Sequence, residues 1–273
     1  MNKKKIWRVG IIQTCSQFEP AENLKQIREG LIKAKNANVT HVFLPEVFFS
    51  TSADTKNSKY LISDPEKDLL ELKLMAKEFQ VFLLGGSAST RFEDKVLNRT
   101  YSIDPQGNFL PSYDKIHLFR CFINNEHQKQ MIDEGLTFKG GTTPLAIEAE
   151  PFKLGLSICF DLRFPELYRH YKQLGCHAVS ISSAFTKMTG EKHWHTLVKA
   201  RAIENQYFVF AANQVGQLHP KLETYGHSLI VDPWGNVLAD AQKNIGLIWA
   251  EIDLDLIESS RDAIICDRKL PYM

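Results

Sequence analysis

No stretch of this sequence is apolar for long enough to suggest a membrane span, no Ser/Pro/Gly-rich segment marks a linker, and neither sign of charge dominates. With 33 Lys+Arg against 32 Asp+Glu the formal net charge is +1 over 273 residues. That balance removes the electrostatic case for nucleic acid or an anionic membrane as a partner. Cysteine is scarce: Cys15, Cys121, Cys159, Cys176 and Cys266 are odd in number, widely spaced and without a C-x-x-C. The pattern suggests neither a disulfide framework nor a zinc site, and it points to a reducing, cytoplasmic compartment. The apolar run behind Lys3-Lys4-Lys5 is short and broken by Arg8 and Gln13, so it is read as a first strand rather than a signal peptide. A P-loop and a G-x-G-x-x-G are missing as well, which weakens any case for a nucleotide cofactor.

What is present is an alternation of strand and helix patterns that runs through the chain twice. Strands are expected over 9–13, 39–45 and 81–84. Helices are expected over 20–38, where Leu24, Ile27, Leu31 and Ala34 recur at helical spacing, and from Ser63-Asp64-Pro65-Glu66 to Phe79. Strands over 96–103 and 109–113 follow, joined by the turn Asp104-Pro105-Gln106-Gly107-Asn108. The second half repeats this order: strands over 154–158, 177–182 and 207–212, helices over 165–174 and 191–204, then strands over 228–231 and 237–241. The last two are joined by Asp232-Pro233-Trp234-Gly235-Asn236, so the D-P-x-G-N turn occurs once in each half. A strand over 245–252, a short helix over 255–261 and a polar tail close the chain. Two such α/β units hide their bare sheet faces best against each other, which predicts a four-layer α-β-β-α sandwich forming a single domain over 1–273, with a polar C-terminal tail from about 262.

Three reactive side chains stand where strands of this scheme stop, the place at which open α/β sheets bind ligands. Cys159 ends the strand over 154–158 and precedes a helical pattern, whose backbone N–H groups are expected to lower the pKa of a nearby thiol. Glu46 follows Phe43-Leu44-Pro45 and precedes Val47-Phe48-Phe49, apolar company that should desolvate it and raise its pKa toward that of a useful base. Lys115 follows the strand ending at Tyr113. Taken singly, each has an ordinary reading as a buried thiol, an ion-pair partner and a solvated lysine.

Taken together, Phe43-Leu44-Pro45-Glu46, Tyr113-Asp114-Lys115-Ile116-His117-Leu118-Phe119 and Ser157-Ile158-Cys159-Phe160-Asp161-Leu162-Arg163-Phe164-Pro165-Glu166-Leu167 resemble the three catalytic motifs of the nitrilase superfamily of carbon-nitrogen hydrolases, in the right order. The resemblance runs from Ile6 to about Pro271. It implies the same sandwich, no cofactor, and a Glu46, Lys115, Cys159 triad. In that reading Cys159 attacks an amide carbonyl, Glu46 moves the proton, and Lys115 with the Phe160 N–H stabilises the oxyanion. The family's second glutamate falls on Glu134, with Gly141 following at the usual spacing, or on Glu126, because 120–133 is longer than the pattern expects.

Residues 183–190, His193-Trp194, Ala200 to Gln206 and Tyr225-Gly226-His227-Ser228 look most like the branch that includes deaminated glutathione amidase and ω-amidase. That likeness implies a small carboxylated amide as substrate. Arg163 is then the candidate partner for its carboxylate, with Phe185 and Thr189 lining the pocket, and a structural pair with Asp161 or Glu166 as the competing reading of Arg163. Carbamoylase or nitrilase chemistry suits the same triad, and a non-catalytic binding protein on this fold is the alternative from another class. Arg201 and Glu204 read as a structural helix-face pair. His193 and His195 suggest no metal site, since residues two apart on a helix face different ways and no carboxylate sits at ligand spacing, and His117, His219 and His227 share no local pattern either. The resemblance also implies a homodimer or larger homo-oligomer.

Overall fold

Along Ile6–Gln13 (β1) apolar side chains alternate, Val9 and Ile11 packing to one side and Ile12 to the other, so the strand requires cover on both faces. A computed structural model, which describes residues 6–125, 128–220 and 222–266, shows what supplies it. After β1 come α1 (Pro20–Asn36), β2 (His41–Phe43), a single helical turn α2 (Pro65–Asp68), α3 (Leu70–Phe79) and β3 (Phe82–Leu84). Two hairpins follow, β4 (Ser87–Phe92) with β5 (Lys95–Thr100) and β6 (Arg120–Asn125) with β7 (Gln128–Asp133). The second half runs β8 (Ala146–Ala149), β9 (Phe152–Ile158), α4 (Pro165–Gln173), β10 (Ala178–Ser183), α5 (Lys187–Asn205) and β11 (Phe208–Asn213). Hairpin β12 (Val215–His219) and β13 (Leu222–Tyr225), then β14 (Leu229–Val231), β15 (Val237–Asp240), β16 (Gly246–Asp253) and α6 (Asp255–Ala263) complete it.

Strand order is β16-β1-β2-β3 in one sheet and β15-β14-β11-β10-β9-β8 in the other. Within each, three strands run parallel, joined by helical crossovers: β1, β2 and β3 through α1 and α3, and β9, β10 and β11 through α4 and α5. Val9, Ile11, Phe43 and Leu84 of the first sheet meet Leu154, Leu156, Phe208, Phe210 and Ile230 of the second in one buried cluster, with Phe43 and Phe210 at 4.6 Å between ring centroids. The outer faces are closed by Leu24, Ile27, Leu31, Leu72 and Met75 on one side and by Tyr168, Tyr171, Trp194 and Val198 on the other. The result is the expected α-β-β-α sandwich, with helices α1 and α3 outermost on one side and α4 and α5 on the other.

The repeat is visible atom by atom. Asp104 Oδ1 accepts from the N–H groups of Gln106 (2.9 Å) and Asn108 (2.8 Å), and Gly107 has φ +84°. Asp232 Oδ1 accepts from Trp234 and Asn236, both at 2.9 Å, and Gly235 has φ +82°. The helices ahead of these turns end alike too, on Gln80 and Gln206, both left-handed with φ +54°.

Some local expectations are corrected. No regular strand forms over 109–113: Ile103 and Phe109 make an isolated bridge, and Pro111, which has no N–H to donate, stops the ladder. The strand expected over 96–103 instead ends at Thr100 and pairs with β4, which the sequence reading did not foresee. Asp64 rather than Ser63 caps α2, accepting from Glu66 N. Among the described residues no helix is long and apolar enough to cross a membrane. The tail residues Lys269, Pro271 and Tyr272 lie outside the described residues, as does Glu126.

Candidate active site

The backbone is strained on both sides of one cavity. Past β2, Val47 adopts φ +53°, a left-handed conformation that a β-branched residue rarely takes. Past β9, Cys159 adopts φ +46° and begins a tight 3-10 turn over Cys159–Arg163. Such strain persists only where surrounding bonds fix it. Around Glu46, Leu44 N donates to Leu84 O (3.1 Å), Phe48 N to Ser87 O (3.1 Å) and Gln214 Nε2 to Glu46 O (2.8 Å). Around Cys159, Arg201 donates to Leu162 O from Nε at 3.1 Å and from Nη2 at 2.7 Å.

The buried Asp161 is the centre of this second set. It accepts from Ile158 N (2.9 Å), Tyr113 Oη (2.8 Å) and His117 N (3.0 Å), and its Oδ1 lies 2.7 Å from His117 Nδ1. The ring of His117 stacks on Phe164 at 3.7 Å. One carboxylate thus ties the segment carrying Lys115 to the turn carrying Cys159. Burial, with Asp161 beside it, pushes the Tyr113 phenol far above its ordinary pKa, so Tyr113 remains a donor.

Glu46, Glu134 and Cys159 line a cavity of about 750 Å³, and Lys115 lies beside it, 1% exposed. Lys115 Nζ is 3.2 Å from Glu46 Oε1 and 2.9 Å from Glu134 Oε2. Its backbone is held by Asn98 O (2.9 Å) and by Gly141 N (2.8 Å), and a Cβ at Gly141 would come within 2.3 Å of Asp114 O, which is why glycine is required there. Lys115 is therefore positioned by a connecting segment rather than by a strand end. Glu46 is fixed from three directions, Oε1 accepting from Asn98 Nδ2 (2.7 Å) as well as Lys115, and Oε2 from Ala184 N (2.7 Å). Glu134 sits on a 3-10 turn just beyond β7 and also accepts from Phe119 N at 2.7 Å. The long insertion over 120–133 is the β6–β7 hairpin, which brings Glu134 back to Lys115.

The electrostatics differ from expectation at the thiol. The α4 helix begins six residues beyond Cys159, and its N-terminus does not govern the sulfur. Burial, followed by the Glu46 carboxylate, pushes the Cys159 thiol well above the ordinary cysteine range, and Lys115 only partly offsets this. Burial likewise disfavours a charged Lys115, but Glu134 and Glu46 outweigh it and hold that amine well above its usual pKa. The Lys115 amine thus sits between the Glu46 and Glu134 carboxyl groups.

The other sequence candidates also converge. Phe160, Arg163, Phe185 and Thr189 are all in the cavity wall. Asp161 is committed to Tyr113, Ile158 and His117, so the competing reading of Arg163 as a structural pair with Asp161 does not hold. The Arg163 guanidinium lies 5.2 Å from the Phe185 ring and 5.8 Å from the Phe160 ring, with His193 Nδ1 at 3.3 Å from its Nη2. Arg201 and Glu204 pair at 2.8 Å. Sequence reasoning missed Asn98, Gln214 and the hub role of Asp161. It also separated His195 from His227, which meet at Asp240.

Comparison with known proteins adds the following. The carbon-nitrogen hydrolase family profile matches residues 8–262. The chain is 38% identical to a deaminated glutathione amidase of Dictyostelium discoideum over 97% of its own length and 93% of that protein's. Identity to the Mus musculus deaminated glutathione amidase is 33%, over 96% and 83%. Among solved structures, the C. elegans NitFhit protein superposes with TM-score 0.86 at 32% identity; the match covers 96% of this chain and 64% of that one. Saccharomyces cerevisiae Nit3, described as a member of branch 10 of the nitrilase superfamily, superposes with TM-score 0.86 at 29% identity, covering 97% and 96%.

Proposed function

The chain belongs to the carbon-nitrogen hydrolase family and is a hydrolase acting on C–N bonds, and from that premise we propose that it releases ammonia from a small carboxylated amide through a thioester on Cys159. The observation that carries the reading is the convergence of Glu46 and Lys115 on the cavity that Cys159 lines. A thiol whose pKa is raised needs a base at the moment of attack, and Glu46 is the carboxylate positioned to serve. Glu46 takes the Sγ proton as sulfur attacks the carbonyl carbon. The oxyanion that forms is stabilised by the Lys115 ammonium and the Phe160 N–H. Collapse expels the amine, which takes its proton from Glu46, and leaves a thioester. Glu46 then accepts a proton from water as the hydroxide adds to the thioester carbonyl; the adduct collapses by breaking its C–S bond, which releases the carboxylic acid, and Sγ takes the proton back from Glu46 to restore the free thiol. Glu134 holds Lys115 charged and in place throughout.

Arg163 supplies the substrate preference. Its guanidinium is the cavity's fork for a carboxylate, flattened between Phe160 and Phe185. The cavity, at about 750 Å³, has room for an elongated substrate of the deaminated-glutathione type as well as a 2-oxo dicarboxylic monoamide. The five free cysteines support a reducing, cytoplasmic setting.

The test is a panel of carboxamides, N-carbamoyl amino acids and nitriles, with and without a carboxylate, scored for ammonia and carbon dioxide. Carboxylated amides are expected to turn over, and Cys159→Ala to abolish release. Arg163→Met is expected to raise KM for carboxylated amides by roughly 10- to 100-fold, the worth of a charge-assisted hydrogen bond, and to leave uncharged amides unaffected. Carbon dioxide alongside ammonia, or turnover of nitriles alone, would replace this reading with a carbamoylase or a nitrilase.

A further inference from the structure

Outside the lining of the Cys159 cavity, three potential metal ligands from separate parts of the chain meet. His195 lies midway along α5, His227 just ahead of β14, and Asp240 at the end of β15. Asp240 Oδ2 is 3.1 Å from His227 Nδ1 and 3.3 Å from His195 Nε2, and one ligand atom from each residue falls within 4.8 Å of the others. None of the three lines the Cys159 cavity.

We propose that His195, His227 and Asp240 form a binding site for a divalent transition metal, of which zinc and cobalt are the best matched, stapling α5 to the β14–β15 edge of the larger sheet. Ligands roughly 2.0–2.1 Å from a tetrahedral ion lie about 3.4 Å from one another. Two of the three ligand-to-ligand distances already have that length. Only the third, between the two imidazoles, has to close, and the His195 side chain, 36% exposed on its helix, has room to turn. Two imidazoles with one carboxylate select a borderline ion over magnesium or calcium, which prefer all-oxygen shells. With the ligand side chains of His227 and Asp240 18% and 26% exposed, an ion could enter from solvent and keep water in its remaining position.

The surroundings hold the ligands in place. His227 has φ +54° directly after Gly226 at φ +77°, two consecutive left-handed residues. The strain is fixed by His227 N donating to Gln242 O and by Trp194 Nε1 donating to His227 O, both at 2.6 Å. The ring of Tyr225 stacks on His227 at 4.5 Å, and Asp240 Oδ1 accepts from Gln242 N at 2.7 Å. These outer contacts set the direction of the imidazole and the carboxylate, as second-layer groups do around metals. Tyr225 is seated in turn on Gly190, where a Cβ would come within 2.4 Å of it.

Cobalt(II) is added to the metal-free full-length Cys159→Ala protein, which removes the competing thiol in the cavity. The expected result is one equivalent bound, with the visible absorption of a four-coordinate ion and no thiolate charge-transfer band. Zinc should displace the cobalt and raise the thermal midpoint. His195→Ala and, separately, Asp240→Asn in the same background should weaken binding by at least about 10-fold and remove the zinc-dependent rise. His195→Ala changes a partly exposed helix position, so its folding can be checked by circular dichroism before titration. Absence of the visible bands, a thiolate band, or binding unaffected by both substitutions would overturn the proposal.

Discussion

Replacing Glu134 by glutamine is the sharpest single test of the proposed centre, because it removes one charge and almost no volume. Glu134 faces Lys115 Nζ at 2.9 Å and accepts from Phe119 N at 2.7 Å. Glutamine can keep an oxygen toward one of these donors but leaves the ammonium with Glu46 as its only remaining carboxylate neighbour among those that raise its pKa. At an effective dielectric near 20, a unit charge pair about 3 Å apart is worth roughly 5 kcal/mol before solvent and relaxation reduce it, and charged hydrogen bonds typically net about 1.5–3 kcal/mol. Taking about 2–3 kcal/mol, kcat should fall roughly 30- to 150-fold. KM should change little, since Lys115 acts on the oxyanion and not on the ground-state amide. The assay is ammonia release from the best carboxylated amide of the panel, with Glu126→Gln measured beside it. Wild-type kcat in Glu134→Gln together with a large loss in Glu126→Gln would refute the assignment and move the second glutamate to Glu126.

Two further outcomes follow from buried groups that are not themselves in the proposed triad. Asp161→Ala leaves the Tyr113 hydroxyl, the Ile158 and His117 amides and the His117 ring without their acceptor, and should cost about 3 kcal/mol or more, or roughly 6–12 °C in Tm; a calorimetric shift under 2 °C would contradict its role as a hub. His41, packed among Trp7, Phe82 and Phe152, has its pKa lowered by burial from 6.5 to about 4. Between those two values the unfolded chain takes up a proton that the folded protein refuses, so stability is lost as pH falls through this window, by about 2.5 kcal/mol between pH 7 and 4.5. Urea unfolding at both pH values should show that loss in the wild type and a smaller one in His41→Asn, and equal losses in the two proteins would assign the acid sensitivity elsewhere.

Glu46, Lys115 and Cys159 were legible because each lies in a contiguous motif that needs no knowledge of packing. The repeat was legible for the same reason, its two turns being local structures written in Asp, Pro, Gly and Asn. What holds the centre together was not. Asn98 reaches Glu46 across 52 positions and Gln214 reaches it across 168, and no local pattern encodes such distances. Asp161 stood in plain view inside a motif but was read against its sequence neighbour Arg163, whereas its partners come from Tyr113 and His117 on another segment. The β6–β7 hairpin was missed because its described apolar side chains Phe122, Met131 and Ile132 are 65%, 52% and 37% exposed and do not show the two-residue period of a half-buried strand. The thiol's raised pKa depends on a three-dimensional sum of burial and two carboxylates, which reversed the local expectation drawn from a helix start.

The junction between the two sheets carries more than core packing. Glu46 and Lys115 come from the first half of the chain and Cys159 from the second, while Phe43, three residues before Glu46, rests on Phe210 across the seam. The proposed triad is therefore divided between the two repeated halves, and each half holds only part of it. On the proposed mechanism, a ligand or crowded side chain that wedged the seam apart would separate Glu46 and Lys115 from Cys159 and lower activity while leaving the helices and strands of each half intact.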